Sequence, residues 1–220
     1  EANDRLRERD YELIISMPSG DSINPFEWAK EVKTLHPNIP IVVLTPFSKS
    51  VSKRIANEDL SAIDYVFSWL GNPDILLAIT KMLEDKMNVE EDVKSVGVQV
   101  ILFVEDSIHF YSSILPHLYK CVFKQSVSFM TEALNEHEQM LRMRGRPKIL
   151  FARTYEEDMS IYKKYKDNMR GVISDVSFQR NGIKDKEAGI ALCAEIRKHD
   201  KFIPLIIQSS DNNNKEGAES

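Results

Sequence analysis

The sequence predicts an α/β chain built on parallel, doubly wound sheets, and three observations predict it. Its apolar runs are short and lack polar alternation, as in Ile39-Pro40-Ile41-Val42-Val43-Leu44, Val98 to Val104 and Val172-Ile173-Ser174, which suits strands covered on both faces. Segments of helical periodicity alternate with these runs, as they do in βα units. Third, the chain repeats itself. Lys30 to Lys33 and Ile39 to Thr45 align without gaps on Ala194 to Arg197 and on Ile203 to Ser209, with numbers differing by 164 (Ile39 against Ile203). Upstream, Ile14-Ile15-Ser16-Met17 aligns on Val172-Ile173-Ser174-Asp175 with a difference of 158. Two copies of one βα unit are therefore expected, the second carrying six extra residues after Asp175.

Taken in order, residues 1 to 8 read as the end of a helix, and Tyr11 to Ile15 as a strand leading to a turn at Pro18-Ser19-Gly20-Asp21. Phe26, Ala29, Val32 and Leu35 carry a helix from Pro25, which Pro37-Asn38 stops before the strand Ile39 to Leu44. A helix over 50–57 and a strand Tyr65-Val66-Phe67 follow. The next helix has a clear start, with Asn72 as cap, Pro73 at the first helical position and Asp74 in the first turn. Its charged continuation, Glu84 to Lys94, reads as a linker over 88–97 closed by Gly97. Val98 to Val104 is a strand ending at Glu105-Asp106. A helical stripe of unusual length then runs from about 107 to 144, through Phe110, Ile114, Leu118, Val122, Phe129, Ala133, Leu134 and Leu141. Gly145 and Pro147 stop it. Strands at Ile149 to Ala152, Gly171 to Ser174 and Ile203 to Gln208 alternate with helices at Glu156 to Lys166 and Glu187 to Lys198. Residues 211–220 are a polar tail.

The totals exclude several classes. A net charge of −5 argues against a nucleic-acid groove. No apolar run approaches the roughly 20 residues of a membrane span, and no signal-peptide layout opens the chain, so a cytoplasmic location is expected. Cys121 and Cys193 lack metal or disulfide spacing and read as small buried apolar residues. No GxxxxGK[ST] loop occurs, and His36, His109, His117, His137 and His199 are scattered on helices.

The chemistry gathers at strand ends. Glu105 and Asp106 close one strand, Asp175 another and Ser209 a third. In a parallel sheet of order 2-1-3-4-5 these strands are neighbours whose carboxyl ends share one edge, where ligands bind. Clustered carboxylates repel one another, and an all-oxygen site of this kind suits Mg²⁺. A cation there keeps Asp175 ionised and makes it a usable nucleophile toward phosphorus. The plainer reading gives Asp106 to a helix cap, Asp175 to a turn and Ser209-Ser210 to an ordinary strand end.

These residues carry a resemblance. Residues 98–210 resemble a response-regulator receiver domain of flavodoxin-like architecture, with VILFVEDS holding the acidic pair, GVISDVS the phosphoacceptor and IPLIIQSS the switch hydroxyl. The resemblance implies that Asp106, Asp175 and the backbone carbonyl of Ser177 bind Mg²⁺ with support from Glu105. It also implies that Asp175 receives the phosphoryl group from a histidine kinase or other donor, and that Ser209 senses it. The family's last strand, helix and lysine would fall beyond residue 210, the lysine at about position 232 by the repeat. Residues 1–87 resemble the C-terminal half of a second, degenerate receiver, with Met17 in place of the phosphoacceptor, Thr45 at the switch position and Ser68 in place of the lysine. EDKMNVEEDVKSVGVQVILFVEDS and GRPKILFARTYEED are similar to the N-terminal regulatory region of bacterial phosphoenolpyruvate synthase and pyruvate phosphate dikinase-like proteins, which implies attached phosphotransferase domains and no enzyme activity in this segment itself.

Two other readings compete. Tyr119, Val122, Phe123, Phe129, Met130, Leu134 and Met140 give the 107–144 helix an apolar stripe suited to a homodimer of pseudo-receivers. A metal-dependent phosphatase would use the same carboxylates, but Ser177 stands two residues beyond Asp175, where a general acid would be needed.

Overall fold

The computed structural model describes residues 2–18, 24–46, 58–130 and 145–209. The chain divides into two compact units. One comprises Glu1–Leu76 with Ile108–Leu115; the other comprises Leu77–Ser107 with Pro116–Ser220.

The first unit begins with α1 (Ala2–Glu8), β1 (Ile14–Ser16) and α2 (Pro25–Leu35) and continues with β2 (Ile41–Pro46) and β3 (Tyr65–Trp69). Pro25 fits the start of α2 because its missing N–H costs nothing there, and the Asn24 side chain accepts from the Phe26 N–H at 3.0 Å. The three strands are parallel, in the order β1-β2-β3. Ala29 and Val32 pack on Ile41 and Ala62, and Phe26 packs on Val43 and Val66. The helix expected over 50–57 lies outside the described residues.

The second unit holds most of α3 (Asp74–Val96) and then β4 (Val100–Val104). After α4 (Ile108–Met130) come β5 (Lys148–Ala152), α5 (Tyr155–Tyr165), a short 3₁₀ turn and β6 (Met169–Asp175). The hairpin β7 (Phe178–Arg180) and β8 (Ile183–Asp185), α6 (Ala188–His199) and β9 (Leu205–Gln208) complete it. Its sheet is parallel throughout, ordered β5-β4-β6-β9. Counted within the unit, this is the order 2-1-3-4 that the sequence requires of its first four strands. Leu102, Val104, Val172, Phe178, Leu192 and Ile196 form the core between sheet and helices.

The internal repeat is visible atom by atom. Ile14 pairs with Ile41 in the first sheet, and their counterparts Val172 and Leu205 pair in the second. The Ile14 N–H donates to the Pro40 carbonyl and the Val172 N–H to the Pro204 carbonyl, each at 3.0 Å. Lys33 reaches the Ile39 carbonyl at 2.9 Å, and Arg197, its counterpart, reaches the Ile203 carbonyl at 2.6 Å.

Three expectations are corrected. The segment 88–97 is not an irregular linker: α3 is one helix to Val96, capped by Asn72, whose side chain accepts from the Asp74 N–H at 3.0 Å. The acids that suggested a solvated linker are partly buried and paired with residues distant in sequence. Asp85 accepts from Arg146 at 2.6 Å, from the Ile149 N–H at 2.9 Å and from the Tyr119 hydroxyl at 3.1 Å. Asp92 pairs with buried Lys148 at 2.7 Å, and Val89 packs on Val100 and Leu150. Such pairs persist because an unpaired charge there would be severely penalised.

The long helix is continuous over Ile108–Met130, with Pro116 inside it. Residues 131–144 lie outside the described residues. Of the apolar stripe assigned to a dimer, Tyr119 and Val122 are buried within the chain itself, so this part of the stripe is already covered. Lastly, Cys121 is exposed rather than buried. Cys193 is half-buried, and burial pushes its thiol up to about 11, which suits an unreactive core position. Among the described residues no helix is long and apolar enough to cross a membrane.

Candidate acidic site at the carboxyl ends of β4 and β6

β4 lies in the middle of its sheet between β5 and β6, so the residues that follow β4 and β6 emerge side by side. Val104 pairs with Ser174, which brings Glu105 and Asp106 next to Asp175. An oxygen of each of the three carboxylates lies within 4.8 Å of the others. This is the meeting of acids that the sequence predicts, and its depth is graded. Glu105 is only 3% exposed, whereas Asp106 and Asp175 are half-buried.

The three acids are not equivalent. Burial, reinforced by Asp175 and Asp106, pushes Glu105 up to about 7, and the Ser107 N–H at 3.0 Å and Lys184 pull the other way. Glu105, rather than Asp106, therefore supplies the acceptor at the approach to α4, contrary to the plainer reading of Asp106 as the cap. Asp175 is also raised by burial, while the backbone N–H groups of Val176 and Ser177, and then Lys184, favour its ionised form. Its main chain is tightly held: Asp175 pairs with Gln208, the Val176 N–H donates to the Gln208 carbonyl at 3.1 Å, and the Gly189 N–H donates to the Val176 carbonyl at 2.9 Å. A Cβ on Gly189 would sit 2.1 Å from the Asp175 carbonyl oxygen, so only glycine lets α6 begin against this strand end.

Ser209 directly follows Gln208, the strand partner of Asp175, and is exposed. It thus follows the strand next to that of Asp175 at the same sheet edge. Ser177 lies half-buried between β6 and β7 and contributes its N–H toward Asp175.

One group was missed. The six extra residues after Asp175 form part of the hairpin β7–β8, and from its second strand Lys184 reaches both oxygens of Asp106, at 2.7 and 2.8 Å. The turn is Asn181-Gly182, both at positive φ (53° and 75°). This is the pair that a two-residue hairpin turn favours, and it was the available signal. The hairpin has a firm base: Phe178 is fully buried, the Asn181 N–H donates to Glu156 at 2.8 Å, and the Arg180 guanidinium stacks 4.4 Å from the centre of the Tyr155 ring.

No family model, curated protein or solved structure matches this chain. The site's donors are all oxygens, one of them deep in the protein, and they carry more negative charge than Lys184 offsets. Such a set could hold a hard metal cation.

Proposed function

We propose that the second unit is a phosphorylation-responsive, receiver-type signalling module of doubly wound, flavodoxin-like architecture, with Asp175 as its phosphoacceptor. The observation that carries this reading is the convergence of Glu105, Asp106 and Asp175 at adjacent strand ends, with Ser209 on the next strand of the same edge. Asp106, Asp175 and the Ser177 carbonyl would hold Mg²⁺ with Glu105 behind them, and the ion would offset charge as a phosphoryl group arrives.

The Val176 and Ser177 N–H groups favour the carboxylate form of Asp175. An Asp175 oxygen attacks phosphorus, forming an acyl phosphate. The donor's bond to phosphorus breaks, and its electron pair leaves with the departing group. The Ser209 hydroxyl donates to a phosphoryl oxygen, so β9 registers the modification and passes it to a partner or attached domain. The donor would be a histidine kinase or other phosphoryl source, and the regulated partner a protein such as a phosphoenolpyruvate or pyruvate phosphotransferase. In this reading the segment is a regulatory module rather than an enzyme, and the first unit takes no phosphoryl group.

Beryllofluoride with Mg²⁺ mimics a phosphoryl group on a carboxylate and provides the test. Saturable binding to the wild type and none to Asp175→Asn is expected by calorimetry. Equal binding by both proteins overturns the assignment of Asp175.

A further inference from the structure

The six extra residues of the second copy form part of the hairpin, and the hairpin sets an ammonium on the acidic site. Lys184 Nζ lies almost equidistant from the two Asp106 oxygens. While it stays there, both oxygens of that carboxylate are engaged. Lys184 nevertheless belongs to the surface, since its side chain is 53% exposed against 14% for Asp106. An ion pair so open to water is weakly held and readily exchanged. The stem that delivers it is not loose, because Phe178 anchors one strand in the core and Glu156 holds the turn at the Asn181 N–H. The side chain is thus presented from a fixed platform and can leave without unfolding its hairpin.

We propose that Lys184 is a positioning residue that competes with the divalent cation for Asp106, and so sets the Mg²⁺ concentration at which the site loads. This inference rests on the reading of Glu105, Asp106 and Asp175 as a cation site. With no divalent ion bound, the ammonium neutralises part of the cluster and keeps Asp106 oriented. A divalent ion takes the Asp106 oxygens, and Lys184 turns out to solvent. A module of this kind is phosphorylated only when both the donor and enough divalent cation are present.

The experiment measures Mn²⁺ affinity by the loss of the free-ion electron paramagnetic resonance signal, in the full chain and without any phosphoryl donor. Lys184→Met is expected to bind Mn²⁺ roughly tenfold more tightly than wild type, from loss of a direct competitor and of one nearby positive charge. Lys184→Arg restores a competing cation and should return most of the way to wild type. Lys186→Met removes the same charge two residues further along, and the proposal requires it to change the affinity much less. Wild-type binding left unchanged or weakened by Lys184→Met overturns the competition while leaving the cation site standing. Equal tightening by Lys186→Met overturns it in favour of long-range charge alone. No Mn²⁺ binding by either wild type or Lys184→Met overturns the cation reading, and the competition with it.

Discussion

The carboxyl ends of the two sheets are built on one plan and furnished differently. β1 pairs with β2 in the register that β6 keeps with β9, and the helix between the strands closes on matching carbonyls. At the strand end, however, the first copy has Met17, 55% exposed, where the second has Asp175. Thr45, the counterpart of Ser209, is buried and turns its hydroxyl to the Phe67 carbonyl at 3.5 Å, whereas Ser209 is exposed. Pro25 stands where Gly189 allows the Asp175 main chain to approach α6. The lesson is that the βα scaffold fixes where a site can be, while a few residues at the strand end decide whether chemistry can occur there.

The largest effect that breaks this contrast should come from Gly189. Gly189→Ala places a methyl group against the Asp175 backbone and is expected to cost about 3 kcal/mol of stability, with loss of beryllofluoride binding. Urea unfolding and calorimetry check both parts.

A second effect separates the fold from the site by pH. Asp158 on α5 is fully buried, neither of its oxygens has a hydrogen-bond partner among the described residues, and burial pushes it up to about 8. Glu105 is pushed up to about 7. For a carboxyl raised in the folded state, stability is fully present below its ordinary pKa and is lost as pH rises through the folded value. Stability should therefore fall between about pH 4 and 8 in the absence of divalent ions. Asp158→Asn is expected to recover about 2 kcal/mol at pH 8, and Glu105→Gln about 1 kcal/mol. Added Mg²⁺ should offset the Glu105 share only. Urea midpoints across pH, with and without Mg²⁺, check this, and a Mg²⁺ effect that survives Glu105→Gln unchanged would count against a part for Glu105 in the site.

The smallest effect sharpens the comparison from the other side. Met17→Asp restores an acid to the first strand end but supplies neither an acidic pair nor an exposed hydroxyl. Its stability should change by less than about 0.5 kcal/mol, and no second Mn²⁺ should bind. A second bound ion would show that the carboxylate alone is sufficient.

Much of this was legible in the sequence because it depends on local pattern. The unalternating runs marked β2, β4, β5, β6 and β9, Asn72 and Pro73 marked the start of α3, and the repeat carried the register of one sheet over to the other. Glu105, Asp106 and Asp175 could be brought together because parallel order places known strand ends side by side. What was not legible depends on partners far along the chain. Glu84 to Lys94 looks like solvated linker until Arg146 and Lys148 bury beside Asp85 and Asp92. Lys184 reads as one surface lysine among many until Asn181-Gly182 folds the hairpin back over Asp106. The Asn181-Gly182 pair is the local signal of that turn.

The central claim is that phosphoryl chemistry belongs to Asp175 and not to the matching position of the first unit. Incubation of the full chain with Mg²⁺ and a small-molecule phosphoryl donor such as phosphoramidate, read by intact mass, tests it most directly. One added phosphoryl group is expected on the wild type and on Met17→Asp, and none on Asp175→Asn. No mass gain on the wild type, or an undiminished gain on Asp175→Asn, contradicts the account.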